Sequence, residues 1–129
     1  MKSYRTHLIV RGYELDSYQH VNNAVYLNYL EQARWEFFRD QGFLGMLEQQ
    51  HLFLVVIEIN IRYQRELKLF DEIEIQTTLR NNSPYLIFTQ KIYQKNTKLA
   101  VARASVKTLF VNQQRVPHDI PAGIITNIK

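Results

Sequence analysis

The sequence predicts an α+β domain in which an antiparallel sheet curls round one long, largely buried helix. Three observations carry this. One stretch of about twenty residues has apolar positions at helical spacing on more than one side. Four later stretches read as strands by their alternation and their β-branched and aromatic residues. Short turns join most of these stretches, and short turns imply antiparallel pairing. Helix and sheet then form two layers over one core.

The elements follow in order. Tyr4 to Val10 is rich in β-branched and aromatic residues and reads as a first strand, ended at Gly12. Residues 13–22 are polar and irregular, a loop with room for one helical turn. From Asn23 to about Gln41 the chain reads as helix. Asn22 or Asn23 serves as its N-cap, because a short amide oxygen can accept from a free N–H of the first turn. Val25, Tyr26, Tyr29, Leu30, Ala33, Phe37 and Phe38 recur at helical spacing, and Leu27 and Trp35 widen the apolar surface. A helix apolar on most sides is expected to be buried on most sides. Gly42 is its expected stop. Residues 43–50 allow one more short helix.

Leu52 to Tyr63 reads as a strand, with Ile57, Ile59, Ile61 and Tyr63 on one face and Glu58, Asn60 and Arg62 on the other. Asp71 to Leu79, Tyr85 to Tyr93 and Leu99 to Val111 read as three more, with a turn at 81–84 between the first two. Pro117 and Pro121 break the pattern near the end. The sheet edges and the wide helix surface call for a partner subunit.

A chain of 129 residues has the size of one domain, and residues 1–129 are read as one. Composition is that of a globular protein, 46% hydrophobic and 22% charged. Cysteine is absent, which excludes disulfides, thiolate metal sites and a cysteine nucleophile. The first residues lack the apolar stretch of a signal peptide, and no run approaches the roughly 20 residues of a membrane span. A cytoplasmic protein is expected. The formal net charge of +4 comes from scattered Lys and Arg. That favours a phosphate-bearing small molecule over nucleic acid.

The richest region for chemistry is 12–34. Asp16, His20, Asn22 and Asn23 cluster where the loop enters the long helix. A helix start offers free N–H groups and a positive dipole end, suited to a developing oxyanion. A carboxylate beside it supplies the second requirement for cleaving an acyl compound. Asn22 and Asn23 are first of all caps, and His20 on its own reads as a loop histidine tied to backbone. His7, His51 and His118 show no zinc-ligand spacing, so no metal or cofactor is expected. Neither a glycine-rich phosphate loop nor a GxSxG elbow occurs, and Ser17 lacks the surroundings of a serine nucleophile. Glu58 reads as an outward charge on its strand.

The segment RGYELDSYQHVNNAVYLNYLEQARW at 11–35 resembles the signature of hot-dog acyl-CoA thioesterases. These include the 4-hydroxybenzoyl-CoA thioesterase and YbgC-like group, with the FadM-like long-chain enzymes the nearest in pattern. Plant acyl-ACP thioesterases share the D-x-x-x-HVNN element. VVIEINIRYQRELKLFDEIEIQTTL at 55–79 is similar as well. The resemblance implies a five- or six-stranded sheet round the long helix and a homodimer or homotetramer. It implies metal-free hydrolysis of a medium- to long-chain acyl-CoA. Asp16 falls on the family's catalytic aspartate. His20 and Asn22 fall on its HVNN element, and Asn23 on the helix start whose backbone N–H faces the thioester carbonyl. YbgC-like members carry a histidine where Asn23 stands, which leaves the backbone role intact. Ala24 adds a second N–H. The helix aromatics Tyr26, Tyr29, Trp35, Phe37 and Phe38 either line an acyl tunnel or belong to the core, and an aromatic stripe at helical spacing favours core. Arg62, Arg65 and Lys91 are candidate ligands for the CoA phosphates. The rival readings are an acyl-ACP thioesterase, a hot-dog dehydratase, a non-catalytic acyl-carrier binding protein and an interaction domain whose loop residues are only caps.

Overall fold

The computed structural model describes residues 2–128. Strand β1 (Tyr4–Ile9) leads through a 3-10 turn at Gly12–Glu14 and a loop into helix α1 (Val25–Asp40). A short α2 (Phe43–Gln49) precedes four long strands: β2 (Phe53–Tyr63), β3 (Glu72–Asn82), β4 (Tyr85–Gln94) and β5 (Ala100–Val111). A two-residue β6 (Pro117–His118) and a final helix α3 (Ala122–Ile128) complete the chain. The sheet order is β1-β3-β4-β5-β2, with β6 on β5, and every pairing is antiparallel.

Helix α1 begins two residues later than the sequence suggests. Asn22 Oδ1 accepts from the Ala24 N–H at 2.9 Å, and the Asn22 carbonyl accepts from Val25. Of the two expected caps, only Asn22 makes a side-chain bond, and it holds the turn just ahead of the helix, whose N-cap position is Ala24. At the far end Gly42 takes a left-handed φ of 75°, a conformation that costs glycine little, and α1 stops there.

Two apolar clusters fill the space between α1 and the sheet. One gathers Tyr26, Tyr29, Leu30 and Ala33 with Ile73, Ile75, Ile92, Ala102 and Ala104. The other gathers Phe37, Phe38 and Phe43 with Leu79, Phe88, Phe110 and Ile124. Phe37 is its hub, in edge-on contact with the rings of Tyr4, Phe38, Phe43 and Phe88. Truncating a buried Phe to Ala costs about 3–5 kcal/mol. Between the clusters lies a polar seam. Arg34 donates to Gln90 Oε1 at 3.0 Å, and Gln90 Nε2 donates to the Leu30 carbonyl and to Thr77 Oγ1.

Three local features depart from the sequence pattern. Arg34 is buried and Trp35 is 56% exposed, although the apolar widening of the helix predicts the reverse. The β2–β5 register shifts between Val56 and Glu58. This bulge takes Ile57 out of the alternation and leaves it exposed, while Ile59, Ile61 and Tyr63 keep a common face. The third is α3, which the sequence pattern missed. Its seven residues are too few for a helical period to show, and Pro121 masks the start by accepting the first N–H bonds. Strands β1 and β2 are the two ends of this order, and β2 is exposed along most of its length.

Candidate active site

The loop before α1 is pinned at its base. Glu14 is 5% exposed and serves four donors. Its Oε1 accepts from the Arg11 N–H and the Tyr29 hydroxyl, both at 2.8 Å, and its Oε2 accepts from Arg11 Nε and Nη2 at 3.1 and 2.7 Å. Burial alone would push the Glu14 carboxyl up. The Arg11 and Tyr29 bonds outweigh it, so the net shift is downward. Burial first, then the bond to Glu14, pushes the Tyr29 phenol up. The Glu14 carbonyl also accepts from Asn22, and Leu15 bridges Val21. These contacts close residues 15–21 into a small hairpin.

Asp16 sits at its turn. The Asp16 N–H donates to the His20 carbonyl, and the Asp16 carbonyl accepts from Gln19. Gln19 adopts a φ of 62°, which lets the chain reverse there. Asp16 Oδ1 accepts from the N–H groups of Tyr18 and His20 at 2.9 and 3.3 Å. One carboxylate oxygen is therefore occupied in fixing orientation. The other has no partner among the described residues.

This carboxylate lines a cavity of about 350 Å³ together with His20, Val21, Asn23, Tyr26, Tyr63, Gln64, Arg65 and Glu66. His20 Nε2 lies 3.0 Å from Glu66 Oε2. The Tyr63 hydroxyl donates to the Asn23 carbonyl at 2.8 Å, which holds the peptide that opens α1. Arg65 donates to the Ala100 carbonyl at 2.6 Å and is exposed. The Asn23 N–H is left without a partner among the described residues. The cavity is thus lined by Asp16, by Asn23 just before α1 and by the exposed Arg65.

Of the nine residues singled out in the sequence, five line this cavity: Asp16, His20, Asn23, Tyr26 and Arg65. Asn22 acts one step back, through its side-chain bond. The Ala24 N–H is spent on Asn22 Oδ1, so it is not a free donor. Arg62 and Lys91 are elsewhere. Strand alternation turns Tyr63 toward α1 and Arg62 to the opposite face, and register places Lys91 on that opposite face too. Tyr63 and Glu66 are site residues that the sequence reading passed over. Tyr63 could be found as the aromatic end of an apolar strand. Glu66 is an ordinary loop carboxylate with no such signal. Among the described residues no cluster of His, Cys, Asp or Glu has the makings of a metal site.

Comparison with known proteins bears on the family and the fold. Residues 10–128 match the model of the thioesterase-like superfamily. The long-chain acyl-CoA thioesterase FadM of Escherichia coli K12 is 42% identical over 109 residues, covering 84% of this chain and 83% of that protein. The crystal structure of YbaW, a probable thioesterase of Escherichia coli, superposes with a TM-score of 0.88 at 30% identity, covering 97% of this chain and 98% of that one. Slr0204 of Synechocystis, a 1,4-dihydroxy-2-naphthoyl-CoA thioesterase, shares the fold at a TM-score of 0.90 and 15% identity, covering 98% of this chain and 96% of that one. The chain belongs to the thioesterase-like superfamily and is a thioester hydrolase built on the hot-dog fold.

Proposed function

We propose that this chain hydrolyses medium- to long-chain acyl-CoA to the free acid and CoA, with Asp16 as the reacting carboxylate. The observation that carries the reading is the shared cavity. Asp16, with one carboxylate oxygen unpartnered, and Asn23, with its N–H unpartnered among the described residues, both line it, and a carboxylate with an N–H donor is the minimum that acyl transfer needs. The thioester carbonyl oxygen accepts from the Asn23 N–H, at the positive end of α1. Charge that develops on this oxygen as the carbonyl carbon becomes tetrahedral is stabilised there. Two routes use the same geometry. Asp16 takes a proton from a water that attacks the carbonyl carbon, or Asp16 attacks that carbon itself and forms a mixed anhydride. In either route the C–S bond breaks and the CoA thiolate departs and gains a proton. In the second, water then cleaves the anhydride.

His20, held by Glu66, borders the same space and orients the attacking water or the substrate. The exposed Arg65 suits a CoA phosphate. The acyl chain runs beside α1 past Tyr26. The preference for longer chains rests on the likeness to FadM.

The exposed β2 edge, with Val55, Val56, Ile57 and Ile59 along it, supports assembly into a homodimer through paired β2 strands, alone or as half of a tetramer. The functional test is release of free thiol from a panel of acyl-CoA esters by the wild type and by Asp16→Asn. Loss of at least two orders of magnitude in kcat is expected. Unchanged hydrolysis by Asp16→Asn would remove the assignment. In a single turnover in ¹⁸O-labelled water, label in the Asp16 carboxylate excludes the water-only route, because it enters there only when water cleaves the anhydride at the Asp16 carbonyl.

A further inference from the structure

The sheet face turned away from α1 carries a pattern that the hydrolytic cavity does not use. Register aligns Arg62 with Arg103, Arg103 with Lys91, Lys91 with Gln76, and Gln76 with Arg5. A basic row, broken by one amide, therefore crosses strands β1 to β5. Neighbouring strands stand about 4.8 Å apart. Like charges directly opposite on such strands repel each other. Near β1 the repulsion is offset, because Glu74 bonds His7 and Gln76 close to Arg5. Arg62, Arg103 and Lys91 have no acidic partner at ion-pair distance among the described residues.

The next row along the strands is Asn60, Ser105, Thr89 and Thr78, all small and uncharged. The row after that is Glu58, Lys107, Ile87 and Arg80. Ile87 is buried beneath its neighbours, and Lys107 lies over the Tyr85 ring. The outcome is a shallow trough running across the strands. Its floor is hydroxyl and amide; one bank is basic, and the other carries Lys107 and Arg80 with Glu58 at its β2 end. Two residues along a strand span about 6.8 Å, so the banks stand about 13 Å apart. An α-helix with its side chains is about 10–12 Å across. Residues three or four apart on a helix rise by about 4.5–6 Å, close to the strand spacing.

We propose that this trough docks an acidic helix of another protein. Carboxylates on one side of the helix meet Arg62, Arg103 and Lys91, and those on the other side meet Lys107 and Arg80. Single-stranded nucleic acid fits less well, because it needs aromatic platforms and the floor has none. A lone nucleotide needs a concave pocket, which an open row of short side chains does not supply. The trough faces away from the Asp16 cavity, so a docked helix leaves that cavity open.

The test uses the full chain and a fluorescent helical peptide on the order of 20 residues long, with Glu at three- and four-residue intervals on one face. Fluorescence anisotropy should show saturable binding that weakens about tenfold between about 50 and 200 mM salt, as expected of partly exposed charge pairs. Arg103→Glu with Arg80→Glu, one change on each bank, should weaken binding at least about tenfold. Thr89→Trp fills the floor without changing charge and should weaken it as much. Both variants should keep wild-type circular dichroism and wild-type thiol release from acyl-CoA. Peptide binding that survives the bank charge reversals overturns the proposal. So does full binding by Thr89→Trp. Equally tight binding of duplex DNA or of phosphatidylserine vesicles, likewise lost on charge reversal, would mark a general polyanion surface and overturn it too.

Discussion

Glu14→Gln replaces a buried carboxylate with an amide of the same shape. In the native protein both carboxylate oxygens accept two hydrogen bonds, from Arg11 and Tyr29. An amide has one accepting oxygen, so either the guanidinium or the Arg11 N–H and Tyr29 hydroxyl must face an NH₂ group. Hydrogen bonds to a charged group are worth about 1.5–3 kcal/mol each, and breaking a fully buried ion pair costs about 3–5 kcal/mol. The Arg11 side chain is 50% exposed and can turn to water, which lowers the cost. Tyr29, 1% exposed, has no such escape. The expected loss is about 3 kcal/mol, or roughly 10–15 °C in Tm for a domain of this size. Tyr29→Phe removes only the hydroxyl and should cost about 1–2 kcal/mol. Because the two changes share one contact, their double mutant should cost less than their sum.

A pH series gives a second check on the same cluster. The folded Glu14 carboxyl titrates below its unfolded value of about 4.3. Its stabilisation is therefore complete above that unfolded value and drains away as pH falls through the folded one. Urea unfolding of wild type and Glu14→Gln at pH 7 and at pH 3 should show the gap between them narrowing at the acid end. A gap below about 0.5 kcal/mol at pH 7, or one that widens in acid, refutes the account of Glu14 as the pin of the Asp16 loop.

Other consequences are open to measurement. Arg34→Met should cost about 1–2 kcal/mol in chemical denaturation, because it strands the buried Gln90 oxygen. Arg34→Met with Gln90→Leu should cost more than Arg34→Met alone, because Gln90 Nε2 also serves the Leu30 carbonyl and the buried Thr77 Oγ1. Tyr63→Phe frees the peptide that presents the Asn23 N–H. It should lower kcat about tenfold, close to 1.4 kcal/mol, with KM nearly unchanged in steady-state assays. Ile57→Lys on the open β2 edge should shift the chain toward monomer in sedimentation velocity, and an unchanged oligomer would argue against β2 pairing.

Much of the fold was legible because periodicity is written in the chain. The heptad-like recurrence from Val25 to Phe38 marks the buried face of α1, and alternation marks β3 to β5 to within a few residues. What was illegible depends on context. Trp35 and Arg34 are neighbours on one helix. Which of them meets water depends on Gln90, 56 positions further on, which offers Arg34 a buried acceptor. Ile57 leaves its expected face because of a bulge, and a bulge is a property of two paired strands.

The site divides in the same way. The order of residues from Asp16 to Asn23 was enough to place a carboxylate shortly before a helix start, since loop and helix signals are local. The tertiary structure decided which N–H is free and which groups share the cavity. Asn22 turns its amide onto Ala24, and Tyr63 and Glu66 arrive from forty or more positions away to hold Asn23 and His20. It also moved Arg62 and Lys91 off the cavity and into a row with Arg103, because a strand sends successive side chains to opposite faces and register alone decides which of them meet. Local chemistry is encoded by neighbours in sequence, and shared chemistry by neighbours across the sheet.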